Sequence, residues 1–113
     1  ISLDEDVFRL MVDGTVSRFG GRIYTATSWG SFVEMTHPEV NKAKGLALVA
    51  EKLGIDRRDV LAIGDGSNDR EMIEWAGYGV AMGNSPADVK AAADEITSDN
   101  DSDGAAAIVE RYL

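Results

Sequence analysis

The chain has 113 residues, of which 44% are hydrophobic and 27% are charged. This composition suits one small domain with a buried core and excludes disorder along the whole chain. It contains no cysteine, which excludes disulfide frameworks, cysteine zinc sites and thiol nucleophiles and fits a cytoplasmic location. The net charge of −9 would repel a nucleic-acid backbone but suits a divalent cation, and no apolar run is long enough to span a membrane.

The first third of the chain combines β-type patches with aromatic residues and glycines. In chain order, we predict a helix over 3–12 that ends at Asp13-Gly14, extended segments over 16–19 and 22–28 joined by a turn at Gly20-Gly21, and a strand over 32–35 after a turn at Trp29-Gly30-Ser31. Tyr24 is expected to be a core or surface residue of this region. The region resembles the end of an α+β domain.

After His37-Pro38, helix-type and strand-type segments alternate. We predict helices over 42–53, 69–75, 86–93 and 104–113, and strands over 60–63, 78–82 and 95–97. The first helix is expected to bury Ala47, Leu48, Ala50 and Leu53 and to end at Gly54. This alternation indicates the α/β class with a Rossmann-like parallel sheet, in which active sites lie at the carboxyl ends of the strands.

The segment Gly64–Asp69 reads Gly-Asp-Gly-Ser-Asn-Asp and directly follows an apolar strand. Two carboxylates, Asp65 and Asp69, would converge at the edge of the sheet and make a hard oxygen site suited to Mg²⁺. Asn68 could donate a hydrogen bond to a phosphate oxygen. A plain turn with a capping aspartate is the alternative, but a cap needs only one such residue, and we favour a functional site.

The segment Ile63–Asp69 resembles the fourth motif of the haloacid dehalogenase (HAD) superfamily. Residues 40–42, 47–48 and 53–55 resemble the helix of its third motif, and residues 79–85, 94–97 and 103–104 resemble the closing segments of Cof-type phosphatases. The resemblance covers residues 34 to 113 in the right order. It implies the second half of a HAD Rossmann-like core, preceded by the end of an α+β cap domain.

The resemblance implies that a lysine of the third motif contacts the transferring phosphoryl group. Lys42 and Lys44 are both candidates, and the 23 positions that separate Lys42 from Asp65 fit the family better. An ammonium at this position would offset the charge of a phosphoryl oxygen. Lys44 is expected to be a surface residue.

The resemblance also implies roles for the polar residues that follow the strands. Asp65 would bind Mg²⁺ and take part in catalysis, and Asp69 would ligate the same ion directly, ligate it through water, or orient Asp65. Asn68 would contact the substrate phosphate, and Asn84 would line the same edge of the sheet.

Family members use an aspartate nucleophile in an Asp-x-Asp-Gly motif, and this sequence has no such motif. Met11–Thr15 partly resembles this motif, but Met11 would occupy the nucleophile position, and a thioether cannot form an acyl phosphate. We therefore expect the nucleophile to lie in an upstream N-terminal half, with residues 1–38 the end of the cap and 39–113 half of the core. The chain alone is expected to be inactive, and the whole to be a Mg²⁺-dependent phosphatase of small phosphorylated metabolites, such as a sugar phosphate or phosphoglycolate.

Two other functions are compatible with the sequence. The phosphorylation domain of a P-type ATPase carries a similar Gly-Asp-Gly-x-Asn-Asp segment, although the strands that lead into Asn41-Lys42 favour the phosphatase. A non-catalytic module could also keep a turn that binds metal and phosphate. Phosphatase assays and the upstream sequence would discriminate among the three.

Overall fold

The computed structural model describes residues 5–28 and 32–113, which form helices and strands in alternation. The elements are α1 (Glu5–Phe19), β1 (Tyr24–Ser28), β2 (Phe32–Thr36), α2 (Lys42–Leu53), β3 (Leu61–Gly64), α3 (Arg70–Trp75), β4 (Tyr78–Ala81), α4 (Ala87–Ala92), β5 (Glu95–Ile96) and α5 (Gly104–Val109). In the part of the chain that the structure describes, no helix is both long and apolar enough to cross a membrane.

Helix α1 is longer than the sequence pattern predicts. It passes through Asp13-Gly14, where we expected a turn, and it includes residues 16–19, which we expected to be extended. Both predictions are wrong. Asp-Gly is a strong local turn signal, but a single glycine inside a helix costs only about 1 kcal/mol and can be tolerated. None of residues 6–19 is buried, so the apolar spacing that predicts a helix over 3–12 does not mark a packed face of α1.

Strands β1 and β2 form a two-stranded antiparallel sheet in which Tyr24 pairs with Thr36 and Ser28 with Phe32. Both strands were predicted, although β1 begins two residues later than expected, because Gly20–Arg22 form a turn of 3₁₀-helix. The turn predicted at Trp29-Gly30-Ser31 lies outside the described residues.

Helix α2 has the bounds that the sequence predicts, and its two ends explain why. The Asn41 side chain caps the first turn by accepting a hydrogen bond from the Lys44 N–H at 2.8 Å. Gly54 ends the helix in the left-handed conformation, with φ of 68°. The predicted buried face is only partly correct, because Ala50 is buried whereas Leu48 and Leu53 are 53% and 67% exposed.

Strands β3, β4 and β5 form a parallel sheet in that order, so the predicted α/β class with a parallel sheet is confirmed. The helices α3 and α4 connect successive strands, and α5 follows the last strand. The remaining predicted boundaries are right to within four residues, the largest difference being α5, which ends at Val109 rather than Leu113.

The core lies where α3 and α4 pack against β4. Ile73, Ala81 and Val89 form one buried cluster, and each of the three is 1% exposed or less. At Gly79 a Cβ atom would collide with the backbone carbonyl of Ile73, so glycine permits α3 to approach the strand closely. This packing fixes β3 and β4 side by side, and their carboxyl ends meet at one edge.

Candidate active site

The loop after β3 is closed by the carboxylate of Asp69, which is only 5% exposed. Its Oδ2 atom accepts hydrogen bonds from the backbone N–H groups of Asp65 and Gly66, both at 3.0 Å. At Gly64 a Cβ atom would come within 2.8 Å of three atoms of the Asp69 side chain. The glycine is therefore required for Asp69 to fold back over the end of the strand.

Lys42, the first residue of α2, reaches the other oxygen of the same carboxylate. Its Nζ atom forms an ion pair with Asp69 Oδ1. The Lys42 side chain is 47% exposed, whereas that of Asp69 is 7% exposed, so the pair stands at the boundary between core and solvent. An ammonium group has three donors, which leaves Lys42 with the capacity to bind a second anion.

Asp65 differs from Asp69 in that its side chain is exposed at the edge of the sheet. Its Oδ2 atom accepts a hydrogen bond from the Asn84 amide at 3.2 Å, and Asn84 in turn accepts one from the Asn100 N–H at 3.2 Å. The turn that carries Asn84 is hydrogen-bonded to the end of β3. The carbonyl of Gly64 accepts hydrogen bonds from the Met82 N–H at 2.9 Å and from the Ser85 hydroxyl at 3.3 Å. Asn84 therefore positions a carboxylate that is open to solvent.

Asn68 lies on the side of the loop that faces the β1–β2 sheet. Its amide donates to Glu34 Oε2 at 3.2 Å. Nearby, the hydroxyl of Tyr24 donates to Glu71 Oε2 at 2.9 Å. Burial, then the hydrogen bond to Glu71 and the negative charges of Glu71 and Glu34, raises the pKa of Tyr24 to about 12. The phenol is therefore neutral at physiological pH.

The donor set fits a magnesium ion held in part by other groups. Both oxygens of Asp69 are engaged by donors, whereas Asp65 presents an exposed carboxylate with one hydrogen bond to Asn84. Within residues 5–28 and 32–113, no three acidic or histidine side chains form a group that could enclose a metal ion. Mg²⁺ typically uses one or two carboxylates and fills its other positions with water and phosphate oxygens, and a single exposed carboxylate such as that of Asp65 would fit this pattern.

The structure brings the residues singled out from the sequence to one edge. Lys42, Asp69, Asp65 and Asn84 form a connected series of contacts through the loop backbone, and Asn68 stands beside them. Lys44 instead pairs with Glu39 on the surface, at 2.6 Å. Glu34 was not foreseen, because a glutamate in a short strand gives no signal of its contact with a loop 34 residues away.

Comparison with known proteins agrees with this architecture of a parallel sheet with polar residues at its carboxyl edge. A family model described as haloacid dehalogenase-like hydrolase matches residues 1–109. The chain belongs to this family, and the resemblance seen in the sequence is confirmed.

Individual relatives extend the comparison. A phosphoglycolate phosphatase from Methanothermobacter thermautotrophicus is 36% identical over the whole chain, which spans 50% of that protein. The crystal structure of a haloacid dehalogenase-like hydrolase from Bacteroides thetaiotaomicron is 40% identical, with a TM-score of 0.77 over 98% of this chain and 42% of that one. A HAD subclass IIB sugar phosphatase is 30% identical, with a TM-score of 0.81 over 91% of this chain and 40% of that one. The chain thus spans half or less of the length of these three relatives.

Proposed function

We propose that this chain supplies the cation-binding and phosphate-binding part of a Mg²⁺-dependent phosphatase that acts on small phosphorylated metabolites. The observation that carries the proposal is the exposed carboxylate of Asp65, held by Asn84 beside the Lys42–Asp69 pair. The phosphatase names of relatives at 30–36% identity support the same class of reaction.

Each residue has a definite part in this proposal. Asp65 would hold the ion at the edge of the sheet, and the bound Mg²⁺ would neutralise charge on the phosphoryl oxygens. Asp69 would act mainly by fixing the loop and orienting Asp65, since both its oxygens already accept hydrogen bonds. Lys42 would turn its remaining donors to the phosphoryl group, and Asn68 would donate to a phosphate oxygen.

We infer that the nucleophilic aspartate lies in a segment outside this chain. We also propose that residues 1–38 are the end of a cap domain and that residues 39–113 are half of the core. The separation between the antiparallel β1–β2 sheet and the parallel β3–β4–β5 sheet supports this division. A cytoplasmic location, without a nucleic-acid or membrane partner, belongs to the same proposal.

The test is hydrolysis of aryl and sugar phosphates by the protein expressed from its complete reading frame. We expect turnover that requires Mg²⁺ and stops with EDTA, and we expect Asp65→Asn to lower it at least about 100-fold, because the variant loses a charge that holds the ion. Asp59→Asn is the matched control, because Asp59 is an exposed aspartate that precedes the N-terminal end of β3, whereas Asp65 follows the C-terminal end.

Full activity of Asp65→Asn would remove the proposed metal site. If the wild-type protein binds Mg²⁺ but hydrolyses none of the esters, the non-catalytic module is the better description.

A further inference from the structure

A pocket of about 260 Å³ lies between the β1–β2 sheet and the start of α2. Its volume lies just below the range of about 300–1,000 Å³ that is typical of ligand pockets, and it suits a group of a few carbon atoms. It is lined by Tyr24, Glu34, Thr36, Val40, Asn41, Lys42 and Asn68.

The pocket opens directly beside the proposed phosphate contacts. Lys42 and Asn68 both line it, and the Asn68 amide is 3.2 Å from Glu34 Oε2. A phosphate that binds at Asn68 therefore brings the organic group of its ester next to the Glu34 carboxylate. The organic group then lies against β2, a strand of the region proposed as the end of the cap.

Two of the described residues that line this pocket are charged, the carboxylate of Glu34 and the ammonium of Lys42. Of the described residues that line it, Lys42 is the one cation, and its ammonium already pairs with Asp69. Glu34 contributes a carboxylate at the wall, and Glu71 lies behind the neutral hydroxyl of Tyr24. Burial and then the hydrogen bond to Glu71 are the larger causes of the raised pKa of Tyr24, and the negative charges of Glu71 and Glu34 add to them.

We propose that Glu34 is a specificity-determining residue that makes the pocket accept phosphate esters whose organic group is neutral or cationic and rich in hydroxyls, and reject those whose organic group carries a second anion. The inference rests on the proposed function, because it uses Asn68 as the phosphate contact. A carboxylate accepts hydrogen bonds from hydroxyl or ammonium groups, whereas two carboxylates at short range repel each other. This protein would therefore disfavour phosphoglycolate, the substrate in the name of the relative from Methanothermobacter thermautotrophicus, because the organic group of that ester carries a second anion.

The experiment compares three two-carbon phosphomonoesters of nearly equal size. Phosphoglycolate carries an anion on its second carbon, 2-hydroxyethyl phosphate carries a neutral hydroxyl, and phosphoethanolamine carries a cation. With the wild-type protein from its complete reading frame, we expect kcat/KM for phosphoglycolate to be about 10- to 100-fold below that for the neutral ester.

Glu34→Gln should reduce this gap to less than about threefold, and it should lower kcat/KM for phosphoethanolamine relative to the neutral ester. The change conserves shape and leaves an oxygen that can accept from Asn68. Glu39→Gln is the matched control, because it removes the same charge from an exposed glutamate that does not line the pocket.

Calorimetric binding of the same three esters in EDTA measures the ranking without turnover. If the protein hydrolyses none of the esters but Glu34→Gln alters the ranking of their affinities, the proposed function is contradicted and this inference is supported. Hydrolysis with a ranking that Glu34→Gln leaves unchanged overturns this inference alone. Preference for phosphoglycolate in the wild-type protein, or neither hydrolysis nor binding of any ester, overturns it as well.

Discussion

The two regions of this molecule are held together by different kinds of contact. Every buried apolar side chain among the described residues lies at or after Ala50, around the parallel sheet. In the first region, none of the side chains described over 6–25 and 33–36 is buried. This region contacts the second, residues 39–113, through hydrogen bonds such as Asn68–Glu34 and Tyr24–Glu71. The charge-handling residues therefore lie on a packed framework, whereas the groups that would select the substrate lie on a strand pair that contacts it through polar side chains.

The largest expected effect comes from breaking the packed region at Asp69. Asp69→Ala removes the acceptor of two backbone N–H groups and the partner of Lys42, which should lower the free energy of unfolding by about 2–4 kcal/mol. Because Asp65 would lose its fixed position, Mg²⁺-dependent turnover should also fall by about 100-fold or more. Urea unfolding and phosphatase kinetics measure the two effects.

Asp59→Ala serves as the control for this prediction, since it removes an exposed aspartate that lies before β3. A stability of Asp69→Ala equal to that of the control would contradict the role of Asp69 in closing the loop.

Replacement of glycine by alanine should have opposite effects on the stability of the protein in the two regions. Gly64→Ala would place a methyl group within 2.8 Å of the Asp69 side chain and should destabilise the protein by about 1–3 kcal/mol. Gly14→Ala, in α1, meets nothing within 4 Å and should stabilise the protein by about 0.5–1 kcal/mol. Thermal unfolding measures both changes, and destabilisation by Gly14→Ala would contradict the helix at this position.

The smallest expected effect is a pH dependence that arises in the packed region. Hydrogen bonds from Arg111, and then from Tyr78, lower the pKa of Glu95 from 4.5 to about 2. A carboxyl whose pKa is depressed on folding contributes stability that is fully present above pH 4.5 and is lost as the pH falls toward 2. Glu95→Gln should therefore show a smaller loss of stability than the wild type across this interval, measured by urea midpoints. Parallel curves for the two proteins would show that Glu95 contributes nothing to the pH dependence.

The sequence predicted the second region better than the first for a physical reason. Asn41 and Gly54 set the ends of α2 by local backbone chemistry, and these signals do not depend on the rest of the fold. The continuation of α1 through Gly14 was not predicted, because Asp13-Gly14 is a local turn signal and no residue of 6–19 is buried against the rest of the fold.

In the site too, residues close together in the sequence could be predicted, whereas a contact between residues far apart in the sequence could not. Asp65, Asn68 and Asp69 follow one strand and could be found as a string of polar residues, and resemblance to a family added Lys42 and Asn84. The contact of Glu34 with Asn68 joins residues 34 positions apart, so only the three-dimensional structure reveals it. The exposure of Leu48 and Leu53 was likewise not visible in the helical pattern.

The central claim is that Asp65 anchors a divalent cation at the carboxyl edge of β3. Titration with Mn²⁺, a paramagnetic ion that accepts the same oxygen ligands as Mg²⁺, measures this binding directly by electron paramagnetic resonance. We predict that the wild-type protein and Asp59→Asn bind the ion with equal affinity and release it to excess Mg²⁺, and that Asp65→Asn binds at least about tenfold more weakly. Equal Mn²⁺ affinity of Asp65→Asn and the wild type would contradict the account.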